Sequence, residues 1–329
     1  MASRLGSGPA DDTSTEEPHP ALVIDLTEGS TRPGVLRPGN VDGLDLWSED
    51  YRTPEYLAWA IDDLRREFGE PDQRYGVYFI HGEDPRSGLS RSVELERFGD
   101  SFNNDVPLMR RLYGQFEDVG ATEIITVVDH EEHLPCGVIR TVRNTAEYGC
   151  RILNDLQKHG EDGWGLTWDE IVARSRFAAT RADEITDIPT VAVAIKYQGH
   201  RKADGVSKAL YAGLMQQGLR SDAKTWVCSL DRIPYILVQA AAKDIMQEFD
   251  GVPGQPYYGA PDTVPLWANI WDYEYYLRTQ HPDAYAMYAH SVGLDDQYFF
   301  GFAEPPTWVA PDPEVIDLRM YDPVVPESR

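Results

Sequence analysis

Cysteine is scarce: Cys136, Cys150 and Cys228 are the only three in 329 residues, and no C-x-x-C pair occurs. Such a set offers no even-numbered disulfide framework and fits a reducing compartment, with the thiols buried as small apolar groups. Positive charge is also in deficit, with 30 Lys and Arg against 55 Asp and Glu and a formal net charge of −25. Nucleic-acid binding rests on cations that release counterions from phosphates, so general affinity for nucleic acid is excluded. Any anionic ligand must then find a local basic island. No apolar run approaches the ~18 residues of a membrane helix, and no apolar signal core is seen, so neither membrane nor secretion is expected and the protein reads as cytoplasmic. No G-x-S-x-G elbow, P-loop or dinucleotide fingerprint is present. In Asp129-His130-Glu131-Glu132-His133 the second histidine of a zinc-protease motif would have to stand at Leu134, so this segment reads as a polar hairpin tip and no metal is expected.

What is present is a folding composition, 42% hydrophobic and 11% aromatic, enough to build a sizeable core. Residues 1–45 are rich in Gly, Ser, Pro, Asp and Glu and read as a disordered leader. Tyr56, Leu57, Trp59, Ala60, Ile61 and Leu64 make an apolar stripe at helical spacing, which predicts a helix over 54–68 that stops near Gly69 and Pro71. A short β-prone run over 75–80, helical patterns over 92–102 and 108–116, and two strands over 122–128 and 136–142 follow. The two strands read as an antiparallel hairpin. Thr167-Trp168-Asp169-Glu170 is a capping box that opens a helix to Ala179. Beyond it the pattern alternates as strand 190–196, helix 205–219, strand 224–230 and helix 234–249. These elements predict a mixed sheet with helices on both faces.

The segment Thr190 to Lys196 is a β-branched strand, and Val206, Leu210 and Leu214 mark the buried face of the helix that follows. In the turn between them Lys196, Arg201, Lys202 and Lys208 stand against Asp204 alone. A helix N-terminus with a glycine, here Gly205, offers free amides and a positive dipole end to phosphate. This strand, Lys202-Ala203-Asp204-Gly205-Val206-Ser207 and helix resemble motif A of the GNAT (Gcn5-related N-acetyltransferase-like) superfamily. The runs Glu94-Leu95-Glu96-Arg97-Phe98-Gly99-Asp100, Tyr113 to Asp118, Thr122 to Asp129 and Pro135 to Arg140 are similar to its acyl-homoserine lactone synthase and N-acyl amino acid synthase branch. Arg140-Thr141-Val142-Arg143-Asn144 departs from that branch's pattern and argues against a homoserine-lactone product.

The resemblance implies a GNAT-like α/β fold, with a mixed, mostly antiparallel sheet and helices on both faces. It implies an acyltransferase domain over 46–265 and an aromatic-rich C-terminal extension over 266–329 packed on it. It further implies an acyl group moving from an acyl-CoA or acyl-carrier-protein thioester to an amine of a small metabolite. Val193, Ile195, Arg201, Lys202, Ala203, Asp204, Gly205, Val206 and Ser207 would hold the acyl-CoA or acyl-phosphopantetheine. Glu94 would be a candidate base, beside Glu123, Asp129 and Asp187. Arg140 would belong to the acceptor pocket, Asp231 would contact the donor and Tyr235 would protonate the leaving thiolate. A binding or regulatory module without transferase activity, or lyase or decarboxylase chemistry, are the alternatives. The twelve aromatics from Trp267 to Trp308 suit a core or a homodimer contact on one reading and an apolar wall for the acyl chain on the other. Replacing Arg201 and Lys202 by Ala is expected to weaken acyl-CoA binding and flatten its salt dependence, since attraction between exposed charges is screened. Titrations of both variants at low and high salt check this.

Overall fold

Helix α1 (Pro54–Phe68) starts where the Thr53 hydroxyl accepts from the Tyr56 amide, and it ends at Gly69, whose φ of 98° continues no helix. Its predicted stripe is its buried face, from Tyr56 to Leu64. The chain continues as β1 (Tyr75–His81), α2 (Gly88–Glu94), a π-helical turn at Leu95–Gly99, α3 (Asp100–Phe102), α4 (Val106–Asp118), β2 (Thr122–Asp129), β3 (Leu134–Arg143), α5 (Arg151–Gln157) and α6 (Trp168–Ala173). Then follow β4 (Ile185–Val193), α7 (Ala203–Arg220), β5 (Thr225–Asp231), α8 (Arg232–Ala241), β6 (Gln247–Glu248), β7 (Gln255–Tyr257), β8 (Ala260–Asn269), α9 (Ile270–Gln280), α10 (Pro282–His290) and β9 (Tyr298–Phe302). This computed structural model describes Trp47 and residues 53–302, apart from 103, 146, 176, 178, 179, 182, 183, 199–202, 222 and 242–245. The expected leader, Arg201, Lys202 and Trp308 therefore lie outside the described residues, as do the side chains of Ala203 and Asp204.

The strands form one nine-stranded sheet in the order β6-β8-β5-β4-β3-β2-β1-β9, with β7 also on β8. Only β4–β5 and β1–β9 are parallel, so the sheet is mixed and mostly antiparallel, as expected. Neighbouring side chains on a strand point to opposite faces, and β2 shows which helices share a face. A Cβ on Gly213 of α7 would meet Ile125 at 2.8 Å, whereas Thr126 is hydrogen-bonded to Ser90 of α2. Thus α7 covers one face, together with α9 and α10, which pack on it, and α2 covers the other with α1 and α5. Helices on both faces follow. The three cysteines are free and buried, and no helix among the described residues is long and apolar enough to cross a membrane.

Several boundaries differ from the sequence pattern. The capping box is present at Thr167 and Glu170, but α6 ends at Ala173 rather than 179. The chain turns there so that Phe177 can join Phe249 and Trp267 in a core cluster. Helix α8 ends at Ala241 rather than 249, because Gln247 and Glu248 pair with β8. The expected start of the extension at residue 266 falls inside β8, which pairs with β5 along its length. Residues 266–302 thus supply strands to both halves of the sheet.

Helix α7 lies close on β3 because Gly137 has no side chain: a Cβ there would meet Val206 at 2.7 Å and Leu210 at 3.0 Å. Gly137→Val is therefore expected to cost about 1–3 kcal/mol through overpacking. Urea unfolding of the variant would read this as a lower midpoint with an unchanged slope.

Candidate active site

Strand β4 begins as a partner of both neighbours and ends as a partner of one. It pairs with β5 only from Ile185–Thr225 to Ile188–Cys228, while its pairing with β3 runs on to Val193. At the point of divergence β4 carries a bulge. Between Arg140 and Val142 β3 advances two residues, but β4 advances three, from Thr190 back to Asp187. The extra residue falls at Ile188–Pro189, and a bulge both bends its strand and suits proline, which has no N–H for a ladder. Strand β5, meanwhile, stays on β8 as far as Asp231. The two parallel strands therefore splay.

The amides of β4 beyond the bulge can be assigned by parity. The Ala194 N–H donates to the Cys136 carbonyl of β3 at 3.0 Å, so Ala192 and Thr190 also face β3. Val191 and Val193 then turn their N–H groups toward the gap. A cavity of about 860 Å³ fills this gap and extends to both faces of the sheet, with Val191, Val193, Cys228 and Asp231 in its waist. Ser207, from the first turns of α7, lines it as well.

At the α2–α5 end the cavity is lined by Arg151, Tyr113, Tyr257 and Tyr258. Arg151 is 7% exposed, and its guanidinium lies 5.5, 5.7 and 5.9 Å from the ring centres of Tyr113, Tyr257 and Tyr258. Nη1 donates to the Tyr257 hydroxyl at 2.8 Å and to Asp155 at 3.5 Å. Nε stands 3.6 Å from Asp187, too far for a hydrogen bond. Nη2 has no hydrogen-bond partner among the described residues. Tyr257 in turn donates to Asp155 at 2.6 Å. Burial pushes the Asp155 carboxyl up despite Arg151. It pushes Asp187 up to about 6, where the Ile152 amide supplies one bond at 3.3 Å and Oδ1 has none. The other end, between α7, α9 and α10, is lined by Tyr211, Leu214, Trp226, Tyr273, Leu277 and Tyr288.

Of the residues expected from sequence, Val193, Ser207 and Asp231 line the cavity. Glu94 and Arg140 do not. Both are fully buried and bound to each other at 2.7 and 2.9 Å, with Glu117 on the remaining nitrogen of Arg140 and Arg91 on Glu117. A base or an acceptor contact needs an open lone pair or donor, and this ion cluster leaves neither toward the gap. Tyr235 hydrogen-bonds Glu248 outside the cavity lining. The Ile195 amide is taken by Glu96 at 3.2 Å, and its side chain is 47% exposed. Val206 is core, against Gly137. At Gly205 the space a Cβ would need is held by the Tyr298 hydroxyl, 2.7 Å away, so the close approach that calls for glycine is to β9. In the basic turn, Lys196 is paired with Glu132 at 2.8 Å. Arg151, Asp155 and Tyr257 were not singled out by the sequence, although Arg151 and Asp155 stand four apart in α5, spacing that puts them on one face.

The nine-stranded, mixed and mostly antiparallel sheet with helices on both faces is the arrangement of strands and helices expected from the sequence. No protein-family model and no curated protein matches the chain. Among solved structures, the chain is similar to the N-acyl amino acid synthase FeeM from uncultured soil microbes, at 10% identity and TM-score 0.44, over 63% of this chain and 96% of that one. It is similar to the acyl-homoserine lactone synthase LasI, at 13% identity and TM-score 0.40, over 60% of this chain and 91% of that one. A third is the CoA-dependent acyl-homoserine lactone synthase BjaI with SAM and isopentyl-CoA, at 10% identity and TM-score 0.42, over 69% of this chain and 93% of that one.

The raised Asp187 pKa makes a stability prediction. The unfolded side chain releases its proton near 3.8 and the folded one near 6, so between these values the folded chain holds more protons. Stability contributed by the protonated acid is complete below pH 3.8 and lost as pH rises through 6. Asp187→Asn removes this loss while keeping an oxygen for the Ile152 amide. Urea midpoints from pH 4 to 7 should show wild type falling relative to the variant, and parallel curves would contradict the assignment.

Proposed function

We propose that the chain is a GNAT-like N-acyltransferase that moves an acyl group from a pantetheine thioester to an amine of a small metabolite. The observation that carries this reading is the gap between β4 and β5, where the Val191 and Val193 amides face a through-going cavity. A thioester laid along β4 places its carbonyl oxygen on those amides. When an amine attacks, negative charge develops on that oxygen, and fixed N–H donors stabilise it more than they stabilise the ground state. The open end of the strand pair leaves room for the pantetheine chain, and Ser207 with the first turns of α7 stands beside it.

The amine enters at the Arg151 end. A nearly buried guanidinium with an unused Nη2 fits a carboxylate carried by the acceptor, and the three tyrosine rings shape the space around it. The proton released by the attacking nitrogen passes to the Tyr257 oxygen while the Tyr257 proton passes to Asp155, whose carboxyl is held above its ordinary range and so accepts a proton more readily. Collapse of the tetrahedral intermediate breaks the C–S bond, the thiolate leaves and takes up a proton, the one lodged on Asp155 is released, and the free pantetheine thiol and the N-acyl product depart.

The test is thiol release from octanoyl-CoA by the purified full chain with amines that do or do not carry a carboxylate. Release with the carboxylate amines is expected. Arg151→Lys should lower kcat/KM for them by roughly tenfold or more, because a lysine ammonium cannot keep the Tyr257 and Asp155 bonds and also present a donor where Nη2 stands, with a smaller change for uncharged amines. If no amine releases thiol and native mass spectrometry detects no bound coenzyme A or acyl-CoA, the reading fails.

A further inference from the structure

The end of the cavity between α7, α9 and α10 contains chemistry that the transfer step does not use. Its wall is apolar in Leu214, Trp226 and Leu277, yet it also carries the phenols of Tyr211 on α7 and Tyr273 on α9. Neither phenol has a hydrogen-bond partner among the described residues, and neither oxygen is sealed from open space. The Tyr273 ring is held edge-on by Trp226, with centroids 6.2 Å apart. Both tyrosines are enclosed enough that burial is the main cause raising their hydroxyls above the ordinary range, and each lies within electrostatic reach of Tyr288. These phenols share one wall.

A wall meant for a plain alkyl chain gains nothing from hydroxyls. A phenol covered by an alkyl chain gives up its water and receives no bond in return, which costs free energy that phenylalanine at the same place would not. The polar atoms at an otherwise apolar site are the ones that set orientation and specificity. The other end, with Arg151, Asp155 and Asp187, is charged, so an acyl chain is directed to the tyrosine end by desolvation alone.

We propose that the acyl group this site accepts bears a hydrogen-bonding oxygen on its chain, beyond the thioester carbonyl, and that the Tyr211 and Tyr273 hydroxyls bind it. This rests on the acyltransferase reading. The substrate class is thus an oxygen-bearing acyl thioester, such as a hydroxyacyl group, rather than a saturated fatty acyl group. Each tyrosine can donate to the oxygen or accept from it, since a phenol does both.

Calorimetric titration of the full chain with octanoyl-CoA and with octanoyl-CoAs hydroxylated at the third, fifth or eighth carbon tests this. In wild type the best hydroxylated member should bind roughly 3- to 10-fold more tightly than octanoyl-CoA, the span of one or two net hydrogen bonds. In Tyr211→Phe/Tyr273→Phe that order should reverse. Should the double variant not fold, the single variants are expected to show the preference reduced. Octanoyl-CoA binding wild type at least as tightly as every hydroxylated member would overturn the inference and leave the acyltransferase reading standing. A hydroxyl preference that survives in the variants would remove the role of these two tyrosines. Failure of all four thioesters to bind wild type would count against the acyltransferase reading itself and take this inference with it.

Discussion

One residue too many in β4 governs the site. Because the bulge at Ile188–Pro189 lets β4 stay on β3 while it leaves β5, a continuous sheet acquires an internal gap without an exposed edge. Such a gap is costly on its own, since backbone groups along it lose their ladder partners. Two features keep it open. The β3 side is held by Arg140, directly across from Thr190, whose guanidinium is clamped by Glu94 of α2 and Glu117 of α4. The β5 side is held by β8 along its length. A buried cluster like the first is expensive to break, because removing one partner leaves a bare charge in low dielectric. Glu94 and Arg140 thus fix β3, the strand against which the amide-bearing β4 is laid.

The cavity that results is polarised along its length. Its charged end gathers one guanidinium and two carboxyls beside three tyrosine rings, and burial raises both carboxyls above their ordinary range. Its other end is apolar with phenols. A ligand that spans the gap must therefore be polar at one end and largely apolar at the other. On the proposed reading that division suits a two-substrate transfer, with each partner drawn to its own side.

Much of this was legible locally and little of it was legible at long range. The stripe of α1, the Thr167–Glu170 box, the β2–β3 hairpin and the buried face of α7 at Val206, Leu210 and Leu214 depend on neighbours in sequence, and the structure has them. The sequence pattern places this strand at 190–196, whereas β4 runs over Ile185–Val193 with Pro189 at a bulge inside it. Gly205 read as a place for phosphate because its clash partner, Tyr298, lies far along the chain. Arg151 carries no signal in the sequence for the same reason: its meaning comes from Asp187 and Tyr257, which only the sheet brings to it. Packing and ion pairing of this kind have no periodic signature.

The segment after β8 binds these parts into one mechanism. Helices α9 and α10 supply Tyr273 and Tyr288 to the cavity wall, and the chain then adds β9 to the far edge of the sheet, parallel to β1. There Tyr298 stacks on Tyr75 at 5.1 Å and sets its hydroxyl against Gly205. The start of α7, which carries Ser207 into the cavity, is consequently braced by the same stretch of chain that forms the tyrosine wall. A side chain at Gly205 would have to displace the Tyr298 hydroxyl. The glycine that looks like a phosphate signature is then also the point at which the first turn of α7 meets β9.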